Sequence, residues 1–308
     1  MIRSTAALAI ALAVVGLPAC AAPAPASTLF PQAWNAGVSP DEPAYQVQQL
    51  DKDTFVIRQS IKTTFEAPFL YLVVGREKAL LIDTGVAGPP LRDLVDGLLA
   101  GRSVSLVVMH SHGHGDHVGG DAALAARPGT TVVGHKPEDV AAFFGLKDWP
   151  NGSAAFDLGG RIVDVVPTPG HHPSHVMVFD RATRILFSGD AVYPGKLYFQ
   201  CGKAAEYAAS VRRVADFATA NRVRWVLGGH IEMKAAPQAS YEAEDRARRD
   251  EHLLELQPLV FGQIQAALAK MGDRVRVEAH DDFILFPHPA DPRGKSPPDW
   301  CLAEEPKG

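Results

Sequence analysis

The sequence predicts a fold of the mixed α/β (α+β) class, and two observations carry the prediction. Four short apolar runs of β-type composition each lead into a glycine-containing loop that presents a metal-binding side chain. Residues 240–271, by contrast, read as one long helical stretch, with Leu253, Leu254, Leu256, Leu259, Val260 and Ile264 set among charges. That stretch is expected to be a capping helix or helix pair. Loops at strand ends are where a rigid scaffold positions chemistry.

From the N-terminus, Arg3 supplies a minimal positive region and residues 6–17 are apolar throughout. The run is too short and alanine-rich to span a bilayer, and small residues follow it, so residues 1–20 are expected to be a secretory signal peptide. Residues 17–20 (LPAC) resemble a lipobox, in which Cys20 would be lipidated and tether the chain to a membrane. Pro18 is atypical there, and cleavage after Ala22 or Ala26 competes. The chain is therefore expected outside the cytoplasm, as a periplasmic protein, an outer-membrane-anchored lipoprotein or a secreted one. Residues 21–42 are expected to be a tether or linker, with an Ala/Pro segment at 21–27.

About 280 residues remain after the leader, enough for one large domain or one domain with a helical appendage. The main domain is expected over 43–235, with a helix, a closing strand pair (275–286) and an extended tail (294–308) packed on it over 236–308. Cys201 and Cys301 are expected to form one disulfide in an oxidising compartment, the alternative being two free, buried thiols. A net charge of −5 argues against a nucleic-acid partner, which normally needs a basic face.

The densest chemistry lies at residues 110–117 (HSHGHGDH), directly after the strand-like run 104–109 (VSLVVM). Imidazole suits zinc, copper, iron and nickel, whereas carboxylates alone would suit harder ions. His112, His114, Asp116 and His117 cannot all turn toward one centre from a regular helix or strand. A loop is needed, and Gly113 and Gly115 allow it to fold tightly. His110 falls outside the pattern as a strand-end residue. Three later strand-like runs, 162–166, 184–187 and 223–227, end at His171, Asp190 and His230. His172 and His175 lie beside His171 but are not expected to be ligands. His135, His252, His280 and His288 read as ordinary surface or partly buried residues.

In five motifs the chain resembles the metallo-β-lactamase superfamily. They stand at 80–85 (LLIDTG), 111–120 (SHGHGDHVGG), 168–171 (TPGH), 187–190 (FSGD) and 228–230 (GGH), and the resemblance covers residues 45–235. It implies a four-layer αββα sandwich, two mixed sheets face to face with helices outside, here with a C-terminal helical extension. It implies that His112, His114 and His171 bind one metal, that Asp116, His117 and His230 bind a second, and that Asp190 bridges them. Two Zn2+ ions are expected, with iron or manganese compatible. Asp83 would orient a ligand without touching metal. No cysteine occupies a motif position, so the thiolate-ligated branch of the family is not matched.

The resemblance further implies a hydrolase in which a bridging hydroxide attacks the carbonyl of a small-molecule ester, thioester or lactone. Asp116 would be a metal ligand first and a proton acceptor second. Tyr193 resembles the tyrosine that assists at the carbonyl in the family's lactonases, with Tyr198 as rival. The ligand set also looks like that of hydroxyacylglutathione hydrolases, although no basic cluster for glutathione is found in the C-terminal segment. A β-lactamase is the alternative, weakened by an aspartate at the bridging position. A nuclease is disfavoured by the leader and the acidic balance.

Overall fold

The computed structural model describes residues 29–272 and 274–288. The first sheet runs in the order of the chain: β1 (Tyr45–Asp51), β2 (Thr54–Gln59), β3 (Phe69–Val74), β4 (Lys78–Ile82), β5 (Ser105–Met109) and β6 (Thr130–Val132). β1 to β4 form an antiparallel meander, whereas β4, β5 and β6 are parallel. Crossovers between the parallel strands carry α1 (Leu91–Leu98), then α2 (Gly115–Val118) and α3 (Asp121–Ala125), as parallel connections require. After α4 (Pro137–Phe144) come β7 (Ala154–Asp157), β8 (Ile162–Pro167), β9 (Val176–Asp180) and β10 (Ile185–Gly189) of the second sheet. The chain leaves it for β11 (Lys196–Gln200) and α5 (Ala204–Ala220), then returns as β12 (Trp225–Gly228), parallel to β10, and β13 (Glu255–Leu256) on the edge. A small third sheet joins β11 to β15 (Ile284–His288) and β14 (Glu278–Ala279), after α6 (Val260–Met271).

The period-2 alternation of buried strands builds four layers. On β5, Val107 and Met109 point between the sheets, where they join Tyr71, Leu80 and Ile82 and meet Val165, Val178 and Phe187 of the second sheet. Leu106 and Val108 point the other way, onto Leu91 and Val95 of α1 and Leu124 of α3. On the second sheet, Phe179, Leu186 and Val226 face outward onto Val211 and Val214 of α5 and Ile264 and Leu268 of α6. This is the αββα sandwich.

Two expectations are corrected. Residues 240–259 are not helical, and the helix begins only at Val260. Pro258 cannot lie inside a helix, because it lacks the N–H and clashes with the preceding turn. The preceding stretch is instead drawn into extended pairings: Leu256 onto Val226, Lys234 bridged to Glu251, and Glu251 buried against Arg58 with N–O distances of 2.6 and 2.7 Å. Leu259, counted among the helix's apolar residues, is 59% exposed. The linker also ends earlier than residue 42. Phe30 is buried, and Trp34 stacks edge-on between Phe30 and Phe69, with centroids 5.0 and 4.9 Å away, so the chain is already part of the core there.

The closing strand pair is present as β14 and β15. Cys201 is disulfide-bonded; Cys20 and Cys301, the signal peptide and the expected tail lie outside the described residues.

Candidate metal centre

The C-terminal ends of β5, β8, β10 and β12 converge on one edge of the sandwich, and each is followed by residues that could hold a metal ion. After β5 the chain passes through His112 and His114. Asp116 and His117 then stand on the single helical turn α2, for which extended His114 is the N-cap. The segment is thus half loop and half helix rather than loop throughout. The seven expected ligands fall into two groups whose donor atoms lie within 4.8 Å of one another: His112, His114 and His171, and Asp116, His117, Asp190 and His230.

In the first group His112 Nε2 is 2.9 Å from His114 Nδ1, and His171 Nε2 is 3.2 Å from each. Four-coordinate zinc with Zn–N bonds near 2.05 Å would set its ligands about 3.3 Å apart. In the second group His117 Nε2 and His230 Nε2 stand 3.2 and 3.3 Å from Asp116 Oδ2, and each is 3.4 Å from an oxygen of Asp190. Asp190 Oδ2 also lies 3.9 Å from His112 Nε2 and 3.8 Å from His171 Nε2, which places this carboxylate between the groups. A Cβ at residue 229 would come within 2.2 Å of Asp190 Oδ1, so the second glycine of the GGH motif is required by the carboxylate beside it.

The electrostatics of the two groups differ. Burial, reinforced by the neighbouring His117, holds His112 well below the usual histidine range, and burial pushes His171 down to about 4. These imidazoles are therefore neutral at pH 7 and offer lone pairs. Burial also opposes charge on His117 and His230, yet Asp190 and the other carboxylates outweigh it and raise both well above the usual value. Asp116 and Asp190 are held down by His117 and His230 despite burial. Among the described residues, Asp83, Asp116 and Asp190 have no Lys or Arg within ion-pair distance. Facing lone pairs on one side and carboxylates without a basic partner on the other suit divalent cations.

A supporting layer fixes the ligands. Asp83, at a left-handed φ of 67°, has Oδ2 2.8 Å from His117 Nδ1, and its two oxygens accept from the backbone N–H and hydroxyl of Ser111. His171 Nδ1 lies 2.8 Å from the carbonyl of Tyr198 and His230 Nδ1 2.8 Å from that of Glu66, which orients both rings. His175, expected only as a bystander, is fully buried; its Nε2 is 3.2 Å from the backbone nitrogens of Asp190 and Ala191. Its place in the loop that follows the TPGH motif was the available signal. Main-chain carbonyls leave no signal in a sequence.

The centre opens on a cleft of about 400 Å³ lined by Glu66, Tyr193, Tyr198, Glu232 and His288 together with ligands. The two tyrosines are placed differently from one another. Tyr193 is buried, and its hydroxyl donates to the carbonyl of Lys196 at 2.5 Å and to Glu232 at 3.1 Å, so its proton is already used. Tyr198 is partly exposed on the cleft wall, its ring edge-on to Phe286 at 4.9 Å.

Comparison with known proteins identifies the family and the fold. The model of the Metallo-beta-lactamase superfamily matches residues 63–253. A hydroxyacylglutathione hydrolase of Rhizobium meliloti is 31% identical over 121 residues, 39% of this chain and 45% of that protein, so the chain spans less than half of that relative. Acyl-coenzyme A thioesterase MBLAC2 of Bos taurus is 24% identical over 230 residues, 61% of this chain and 81% of the relative. A solved metallo-beta-lactamase from Pontibacter korlensis superposes with a TM-score of 0.52 at 19% identity, over 73% of this chain and 99% of that one, a likeness of fold.

Proposed function

The chain belongs to the metallo-beta-lactamase superfamily, and we propose that it is a hydrolase with a two-metal centre that cleaves an ester, thioester or lactone outside the cytoplasm. The observation that carries this reading is the position of Asp190, 3.4 Å from His117 Nε2 and 3.8 Å from His171 Nε2, between two complete donor groups. Five imidazoles and two carboxylates match zinc best, with iron and manganese compatible. Bound there, such ions polarise a carbonyl oxygen and lower the pKa of water to about 7.

The chain's own residues hold the geometry. Asp190 joins the two groups, and Asp116, the more exposed of the two carboxylates, is a ligand first and a proton acceptor second. Burial raises the Tyr198 hydroxyl above its ordinary range, so it stays protonated at the cleft wall. We assign to it the hydrogen bond to the substrate carbonyl that the sequence assigned to Tyr193. The names of the relatives, a hydroxyacylglutathione hydrolase and an acyl-coenzyme A thioesterase, favour placing thioesters first. The apolar run at 6–17 supports export.

A panel of a thioester, a p-nitrophenyl ester, a homoserine lactone and nitrocefin tests the reading. Turnover of one of the first three above nitrocefin is expected, and nitrocefin turnover far above the others overturns the ranking. Tyr198→Phe should lower kcat by about 10-fold or more, while Tyr193→Phe should act mainly on stability.

A further inference from the structure

The two donor groups use five histidines, and further histidines lie at the same edge of the sandwich. One nitrogen each from His110 and His135 and one oxygen of Asp121 form a third group, all within 4.8 Å of one another. We propose that His110, Asp121 and His135 are a third, separate metal site for one late first-row divalent cation such as Zn2+. Two imidazoles and one carboxylate form the donor set of many three-residue zinc sites, which leave a fourth position to water.

Three observations support the assignment. His110 is 2% exposed, and its Nε2 lies 2.8 Å from Asp121 Oδ1, but its Nδ1 is buried with no hydrogen-bond partner among the described residues. A buried polar atom left unpaired calls for a water or an ion. Asp121 is already oriented by Thr84, whose hydroxyl donates to the same Oδ1 at 2.8 Å, while its other oxygen has no partner among the described residues. His135 reaches the group because residue 113 has no side chain: a Cβ there would stand 3.0 Å from His135 Cδ2. Its ring lies edge-on to that of His110, 6.1 Å between centroids.

The placement suggests what the ion does. His110 immediately follows β5 and Asp121 opens α3, so the two flank the segment that carries His112, His114, Asp116 and His117. An ion held by both, and by His135 beyond β6, would clamp that segment at each end without joining the main centre. Its effect would be on the rigidity of the ligand loop rather than on the reacting atoms.

The test is the zinc stoichiometry of the full chain, stripped with a chelator and titrated with Zn2+ at equilibrium. Wild type is expected to bind one equivalent more than His135→Ala. His135 is exposed, so this variant should fold. Asp121→Asn should lose the same equivalent, whereas Asp190→Ala should lose ions from the main centre and keep this one. The comparison is between variants, so it stands whether the main centre takes one ion or two. Equal stoichiometry of wild type and His135→Ala overturns the site, and full retention by Asp121→Asn overturns the role of the carboxylate.

Discussion

β8 has an ionisable group at each end, half-buried Arg161 just before it and buried His171 beyond it, and the two ends satisfy their charges in opposite ways. At the Arg161 end the guanidinium spans both sheets. It donates to Asp180 at 2.5 and 3.1 Å, to the Thr54 hydroxyl at 2.6 Å and to the carbonyl of Asp53 at 3.0 Å. Asp180 also accepts from Thr183, so the pair is closed on itself. At the His171 end the carboxylates of Asp83, Asp116 and Asp190 meet histidines and Ser111 but, among the described residues, no Lys or Arg, and neutral imidazole nitrogens face one another. The contrast teaches how one scaffold separates stability from function. A buried charge that has its counter-charge within the chain holds the sheets together, whereas one that lacks it is a place for a cation.

Asp190→Ala is the strongest way to break the comparison. It should lower kcat/KM by about 10³-fold or more, since it removes the one carboxylate shared by both donor groups. Metal analysis should show at least one equivalent lost, while the thermal stability of the metal-stripped protein should fall little or rise, because a buried carboxylate with no Lys or Arg partner is gone. Activity like that of wild type would refute the bridging assignment. Asp180→Asn should do the reverse. Breaking a buried pair by removing one partner costs roughly 3–5 kcal/mol, measurable by urea unfolding, and kcat/KM of the folded enzyme should stay within about 3-fold of wild type. A large loss of activity at unchanged stability would mean that the two ends are coupled.

Asp83→Asn sharpens the boundary between the ends. The residue touches no substrate, yet it sets the orientation of His117 through a 2.8 Å contact. Loss of such an outer partner typically weakens metal binding by about 10–100-fold, read by competition with a chelator dye. An unchanged affinity would make Asp83 a structural residue that belongs with Asp180.

Much of the metal end was legible in the sequence because strand, glycine and ligand follow one another along the chain. The runs before His112, His171, Asp190 and His230 are local signals, and the αββα fold follows once those strand ends are brought to one edge. What was not legible depends on partners far away in sequence. Arg58 and Glu251 are 193 residues apart, and their pairing helps to make 240–259 extended where apolar spacing suggested helix. Phe30 and Trp34 look like linker until Phe69 is beside them. The carbonyls of Glu66 and Tyr198 that orient His230 and His171 could not be read, since every residue has one. Tyr193 had the right spacing from Asp190, and only the carbonyl of Lys196 shows where its proton goes.

Acid provides the last and smallest test of the closed end. Burial raises the Asp180 carboxyl, but the hydrogen bonds and charge of Arg161 outweigh it and hold the group below its ordinary value. As pH falls, the unfolded chain therefore takes up the proton first, near the ordinary carboxylate pKa of about 3.9. The stabilisation is complete above that value and is lost as pH falls through the lower folded one. The gap in unfolding free energy between wild type and Asp180→Asn should thus be flat from about pH 7 to 5 and shrink below about pH 4. Urea midpoints across that range measure it, on metal-stripped protein so that release of ions from the other end does not contribute. A gap that persisted undiminished to about pH 3 would mean that Asp180 holds the sheets by its hydrogen bonds to Thr183 and the backbone rather than by its charge.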